Sequence, residues 1–282
     1  MSGWKIDEIL TLLAEAGRCA LTLGEYPAAD CKSDGSAVTA ADRAIERNFA
    51  ERFDHPERGI FLIGEETDPG RTDTDCAAAL AADRCYVIDP IDGTAPYIAD
   101  VPLWGISLGL LRRGVMAEGA IYLPPLDEAF LSCRGTLWHV TGAATPAPDV
   151  RPFETRRGNP SRLLPVGVGQ TAAKRWQFEF SNPLFAWSSA VGSCRALLRG
   201  QMLAYLMNSR IWDLAGAVPL LAAAGFTIRF ADGKELDRDV AHGGDFLLSG
   251  PDRWRLREHT VAAPDPETAQ MIWNQVKADP NE

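Results

Sequence analysis

Two short apolar runs, Gly59-Ile60-Phe61-Leu62-Ile63-Gly64 and Cys85-Tyr86-Val87-Ile88, each stop directly at an acidic residue, Glu65 and Asp89. Runs of this length, rich in β-branched and aromatic residues and bounded by turn residues, read as buried strands. A strand that ends in a carboxylate places that group where α/β proteins gather functional side chains. The text around these runs is helical. Residues Ile6 to Leu23 carry apolar positions at helical spacing and stop at Gly24, and Thr39-Ala40-Ala41-Asp42 reads as a capping box opening a second helix, with Ile45, Phe49 and Phe53 on one face.

From Trp104 to Thr136 apolar runs alternate with turn residues, as in an antiparallel meander. Four prolines between Thr141 and Pro160 mark a linker, which divides the chain into an N-terminal α+β half, 1–145, and a C-terminal α/β half, 146–282. The second half offers a strand around Leu163 to Val168, a helix from Ser193 to Leu198, a helix starting near Trp212 and a strand at Phe226 to Phe230. The apolar stretch from Leu214 to Ile228 reads as a buried helix leading into that strand; it contains Pro219 and falls short of the ~18 residues of a membrane span.

With 28 basic against 38 acidic residues the net charge is −10, which excludes nucleic acid and anionic membranes as natural partners. An anionic substrate would need a bound cation to invert the local field. The start, Met1 to Glu8, carries charges where an export signal needs an apolar run. Six cysteines lack any Cys-x-x-Cys pair, which argues against a zinc site or disulfide scaffold and for a reducing cytoplasm.

The chemistry concentrates in Asp89-Pro90-Ile91-Asp92-Gly93-Thr94. Two carboxylates three residues apart across a turn, with Pro90 fixing one backbone angle, suit a cluster of hard cations such as magnesium. Gly93 and Thr94 offer backbone N–H groups close to a phosphate oxygen. An EF-hand loop from Asp89 would need Asp or Asn at Ile91 and Gly at Thr94, so that reading fails. The dehalogenase-type Asp-x-Asp-x-Thr pattern has one residue fewer between its aspartates. Gly64-Glu65-Glu66 supplies further carboxylates, and Trp212-Asp213-Leu214-Ala215-Gly216 puts an aspartate at the start of a helix, where it is either a cap or a ligand.

These three segments, with Lys32 and Thr39-Ala40-Ala41-Asp42 upstream, resemble the inositol monophosphatase family of magnesium-dependent, lithium-sensitive phosphatases over most of the chain. The resemblance implies an α/β (α+β) fold, the layered α-β-α-β-α sandwich of the inositol monophosphatase and fructose-1,6-bisphosphatase type. It implies two or three Mg2+ ions held by Glu65, Asp89, the Ile91 carbonyl, Asp92 and Asp213. Glu65 with Thr94, itself hydrogen-bonded to Asp42, would orient and deprotonate the attacking water; Gly93, Thr94 and Lys32 would hold the phosphate. The partner would be a small-molecule phosphate ester and the assembly a homodimer.

Substrate contacts are expected from Ser193, within Gly192-Ser193-Cys194, and from Leu206, Asn208 and Arg210. Leu206 stands seven residues before Asp213, where inositol monophosphatases proper carry an acidic contact to inositol hydroxyls, so inositol 1-phosphate is expected to be a poor substrate. Ala95 to Gly105 is similar to the bacterial histidinol-phosphate phosphatase branch, with Ala95 where a basic residue often stands. A catalytically weak metal- or ligand-binding homologue is the alternative to an enzyme; Glu65, Asp42 and Thr94 together favour the enzyme.

Overall fold

The computed structural model describes residues 4–24, 29–31, 37–155 and 163–278. Helix α1 (Ile6–Leu23) stops at Gly24, as its apolar spacing predicts. A short hairpin, β1 (Ala29–Cys31) with β2 (Ala37–Thr39), leads into α2 (Ala40–Phe53). The Thr39 hydroxyl accepts from the first-turn amides while Asp42 accepts from the Thr39 amide, the reciprocal cap that the sequence announces.

Strand β3 (Ile60–Gly64), helix α3 (Asp73–Ala81), strand β4 (Arg84–Asp92) and helix α4 (Thr94–Ile98) follow, and then the meander β5 (Gly105–Arg112), β6 (Val115–Leu123), β7 (Glu128–Cys133), β8 (Thr136–Thr141) and β9 (Asp149–Pro152). Together these strands form a seven-stranded sheet in the order β3-β4-β5-β6-β7-β8-β9, parallel between β3 and β4 and antiparallel elsewhere.

The rest of the chain runs β10 (Val166–Val168), α5 (Gln170–Arg175), β11 (Gln177–Phe178), β12 (Leu184–Phe185), α6 (Ala190–Leu198), β13 (Ala204–Met207), α7 (Ile211–Ala215), α8 (Val218–Ala223), β14 (Thr227–Arg229), β15 (Thr260–Ala263), α9 (Pro266–Trp273) and β16 (Val276–Lys277). A second sheet has the order β12-β10-β13-β15-β14. Where the sequence suggests one buried helix after Trp212 there are two, α7 and α8, broken at Gly216 and Ala217 ahead of Pro219, whose ring cannot continue an existing helix but fits a first turn.

Side-chain parity stacks the layers. Ile9, Leu13, Ile45 and Phe49 of α1 and α2 pack on Leu62, Ile88, Ile106 and Leu108 from one face of the large sheet. Its other face, with Ile63, Cys85 and Val87, packs on α6, α7 and α8, which in turn cover Tyr205, Met207, Ile228 and Ala262 of the small sheet. The far face of the small sheet, with Val166, Leu206 and Val261, is closed by Ala172 of α5 and by Ala269 and Ile272 of α9. The result is the α-β-α-β-α sandwich that the family resemblance implies.

Candidate active site

Strand β4 aims two carboxylates the same way through an irregularity. Cys85 and Val87 face the middle helical layer while Tyr86 and Ile88 face α1 and α2, so Asp89 belongs to the middle side. Regular alternation would send Asp92 to the opposite face. Between Asp89, opposite Ser107, and Asp92, opposite Gly105, the strand carries one extra residue. This bulge returns Ile91 to the α1/α2 core and turns Asp92 back beside Asp89. Pro90 fits there because a bulge does not require its missing N–H. The two aspartates thus sit on one bulged strand rather than across a turn.

The middle layer closes on this pair. Ser107 Oγ donates to the Trp212 carbonyl at 2.7 Å and fixes α7 against β5, which brings Asp213 over β4. Asp89, Asp92 and Asp213 each offer an oxygen within 4.8 Å of the others. Asp213 also accepts the Arg210 N–H at 2.9 Å, so it closes the first turn of α7, with Arg210 rather than Asp213 at the cap position. Asp92 accepts from Ser189 Oγ at 2.5 Å and from the Ala190 and Val191 amides at 3.0 and 2.7 Å, seating the start of α6 on the same cluster.

Burial and mutual repulsion raise all three acids. Asp89 is lifted well above the usual carboxylate range by burial and then by the charges of Glu65, Asp92, Asp213 and Asp42. Burial takes Asp92 to about 6 against the hydrogen bonds from Ser189 and α6. Asp213 rises to about 7 through burial, Asp92 and Glu65, opposed by the Arg210 N–H and a hydrogen bond with the Asp89 side chain. An all-oxygen set of crowded carboxylates fits a hard divalent cation, whose charge would relieve this repulsion.

Glu65 follows β3, parallel to β4, and its charge is felt by all three aspartates. The Thr94 hydroxyl donates to the Ile91 carbonyl at 3.2 Å, instead of to Asp42. Asp42 Oδ2 accepts from the Thr39 amide and hydroxyl at 2.7 and 2.6 Å, occupied by the cap of α2. Gly93 has φ +90°, a left-handed conformation that favours glycine, and starts α4. Lys32 lies outside the described residues.

The expected substrate contacts divide. Ser193 lies in the first turn of α6, and its hydroxyl donates to the Ser189 carbonyl at 2.8 Å. Leu206 is fully buried in the core beyond the small sheet, packed with Val168 and Val261, so it does not face the cluster. The residue that does is Tyr205, on the opposite face of β13; it is hydrogen-bonded to Ser193, and its hydroxyl is pushed up by burial and by the charges of Asp92 and Asp213. Strand alternation was the available signal: a contact counted back to 206 lands one residue from the face that looks inward. Arg210 sends its guanidinium to the Arg253 carbonyl at 2.7 Å and stacks over the Trp212 ring at 5.7 Å, so it fastens the 252–253 turn. Asn208 follows β13, and its Oδ1 is buried without a partner among the described residues.

Compared with known proteins, the chain matches the inositol monophosphatase family over residues 8–274. The chain belongs to that family. A histidinol-phosphatase of Mycobacterium tuberculosis is 26% identical over 245 residues, 80% of this chain and 88% of its own length. An inositol-1-monophosphatase of Caulobacter vibrioides is 26% identical over 243 residues, 81% of this chain and 89% of its own. Among solved structures, an IMPase/NADP phosphatase complexed with Mg2+ and phosphate superposes with a TM-score of 0.69 at 17% identity, covering 94% of this chain and 92% of its own. The family member described here is accordingly a phosphoric monoester hydrolase, and no helix among the described residues is long and apolar enough to cross a membrane.

Proposed function

We propose that this phosphatase works through magnesium held by Glu65, Asp89, Asp92, Asp213 and the Ile91 carbonyl, two or three ions in all, on a small phosphate monoester. The observation that carries this reading is the convergence of three aspartates from β4 and α7 within 4.8 Å, crowded enough to displace their own ionisation. Bound magnesium would supply Lewis acidity to an in-line displacement at phosphorus.

The chain's own groups do the rest. The Gly93 and Thr94 amides, with Lys32, hold the phosphate. Thr94 spends its only hydroxyl proton on the Ile91 carbonyl, so its oxygen is left to accept from the attacking water. Glu65 takes that water's proton, and Asp42, in the first turn of α2, adds its charge to the field around Asp89. Water forms the new bond to phosphorus as the bond to the ester oxygen breaks; the leaving alkoxide takes a proton from solvent water, and Glu65 returns its proton to solvent, so no net proton stays on the protein.

For the leaving group we favour an alcohol that carries hydrogen-bond donors. Asn208 Oδ1 is a buried acceptor wanting a donor one residue past β13, and Tyr205 of the same strand meets Ser193 beside Asp92 and Asp213. Relatives named as a histidinol-phosphatase and an inositol-1-monophosphatase agree with such a class. The reason for expecting inositol 1-phosphate to be poor, an apolar contact at Leu206, falls away because Leu206 faces the other core.

Phosphate release from a panel of small esters tests this reading. Activity should vanish with chelator, return with magnesium and fall with lithium, and donor-bearing esters should exceed a simple aryl phosphate in kcat/KM. Full activity in excess chelator rejects the metal site, and a flat ranking rejects the substrate class. We also place the protein in the cytoplasm as a homodimer. Support for the first comes from Cys76, Cys85 and Cys194, which share one core as free thiols; support for the second comes from edge strand β12, which exposes Leu184 and Phe185. Sedimentation of the purified chain decides the dimer.

A further inference from the structure

Helix α2 carries a second buried acid that the sequence motifs pass over. Glu46 lies four residues beyond Asp42, one turn along the same helix face, and each is 1% exposed. Among the described residues its carboxylate does not reach toward a basic side chain. Instead Oε2 accepts the Glu66 N–H at 2.8 Å and Oε1 accepts the Thr67 N–H at 2.7 Å. Two successive backbone N–H groups converging on one carboxylate form an anion-binding concavity, here occupied by a residue of the protein itself.

The turn is moulded tightly on that side chain. A Cβ added at Gly64 would stand 2.2 Å from Glu46 Oε1 and 2.7 Å from Oε2, so only glycine lets the end of β3 approach the carboxylate. Gly64, Glu66 and Thr67 therefore all pack around Glu46, and Glu65 is the residue between them. The arrangement is held against repulsion, because Glu65 and Glu46 carry like charges that sense each other. Burying a carboxylate beside another one is costly unless its hydrogen bonds are filled, and here the loop amides fill them.

We propose that Glu46 is a positioning residue: by gripping the Glu66 and Thr67 amides it fixes the 64–67 turn and holds the Glu65 carboxylate toward the aspartate cluster. This rests on the proposed role of Glu65. Glu46 does not touch substrate or the reacting atoms; it acts through the turn. Loss of an outer group that orients a metal ligand typically costs about 10–100-fold in metal affinity or activity, which sets the size of the effect.

The test is calorimetric titration of Mg2+ alone into the full chain, run with steady-state kinetics and thermal melting for the wild type, Glu46→Ala, Glu46→Gln, Gly64→Ala and Glu65→Gln. Folded Glu46→Ala and Gly64→Ala should bind Mg2+ roughly 10–100-fold more weakly and lose kcat, with KM at saturating Mg2+ changed less. Glu46→Gln keeps one acceptor oxygen and should recover part of the loss. If Glu65→Gln weakens Mg2+ binding while the folded Glu46 and Gly64 variants bind as wild type, the positioning role is overturned and the proposed site stands. If Glu65→Gln leaves Mg2+ binding unchanged, the role of Glu65 itself fails, and the inference falls with it. Should Glu46→Ala fail to fold, Glu46→Gln and Gly64→Ala decide the question by the same titration.

Discussion

Ser189 donates its hydroxyl to Asp92 at 2.5 Å across 97 positions of sequence, joining the central motif of the large sheet to the first turn of α6. Ser189 Oγ also accepts the Gly192 amide at 2.9 Å, so one hydroxyl caps the helix and fastens it to the cluster. Ser189→Ala should lower stability by about 0.5–2 kcal/mol, the usual cost of losing such a cap. Urea unfolding of the metal-free protein measures it. An unchanged midpoint would mean that the Ala190 and Val191 amides alone seat α6.

Asp89→Asn and Asp213→Asn should abolish turnover and leave the metal-free fold at least as stable as wild type at neutral pH. Each change removes a charge that its neighbours and its burial disfavour, while an amide oxygen remains to accept the Arg210 N–H at 213. Thermal melts in chelator with parallel phosphate-release assays check both halves. A large loss of metal-free stability in Asp213→Asn would make Asp213 chiefly a cap for α7.

The raised acids fix the sign of a pH effect. The ordinary value for Asp is 3.8, and Asp213 in the fold titrates at about 7. Between these the folded state binds more protons than the unfolded one, so this contribution favours the fold at low pH and is lost as pH rises. Metal-free protein should lose stability from about pH 4 to pH 7, by roughly 1.4 kcal/mol for each pH unit of displacement. Glu128 runs the other way, its carboxylate held low by His139 and Arg195 against burial, so its contribution fades only under strong acid. Magnesium should remove the decline, because protons and metal compete for the same oxygens. Melting temperatures from pH 4 to 8, with chelator and with magnesium, test this; a metal-free curve that rises through the window contradicts it.

Opposite faces of β13 predict opposite phenotypes for adjacent residues. Leu206→Ala should cost about 2–5 kcal/mol of stability, as a buried leucine does, and leave the ranking of ester substrates unchanged. Tyr205→Phe should change that ranking with a smaller loss of stability, since it removes a hydroxyl that Ser193 meets beside Asp92 and Asp213. A denaturation series and the ester panel separate the two. Swapped outcomes would place Leu206 at the substrate.

What the sequence reveals here is mostly local. The cap at Thr39 and Asp42, the stop at Gly24 and the meander expected from Trp104 to Thr136 are written in spacings shorter than a dozen residues, and the fold reproduces them, with the last strand of the meander running on to Thr141. The carboxylates of the cluster were legible because their motifs are short and acidic. Glu46 was not, because an acid within an amphipathic helix looks like any solvated position until the turn after β3 wraps around it. Tyr205 was missed for a different reason: which face of β13 looks inward depends on helices on both sides of it in the chain, α6, α7 and α8 over one face and α5 and α9 over the other.

The extra residue between Asp89 and Asp92 shifts the backbone without setting the face that the two aspartates share, because residues two apart on a regular strand already point the same way. Replacing Ile91 by another aliphatic residue of similar volume asks only for repacking against α1 and α2. Deleting Pro90 would remove the extra residue and leave a regular ladder, in which residues two apart share a face: Asp89 and Asp92 would both still look toward Asp213, with Ile91 between them facing α1 and α2. The folded Pro90-deletion variant should therefore keep its inward pair of carboxylates, and Mg2+ titration of it reads what the backbone offset alone contributes.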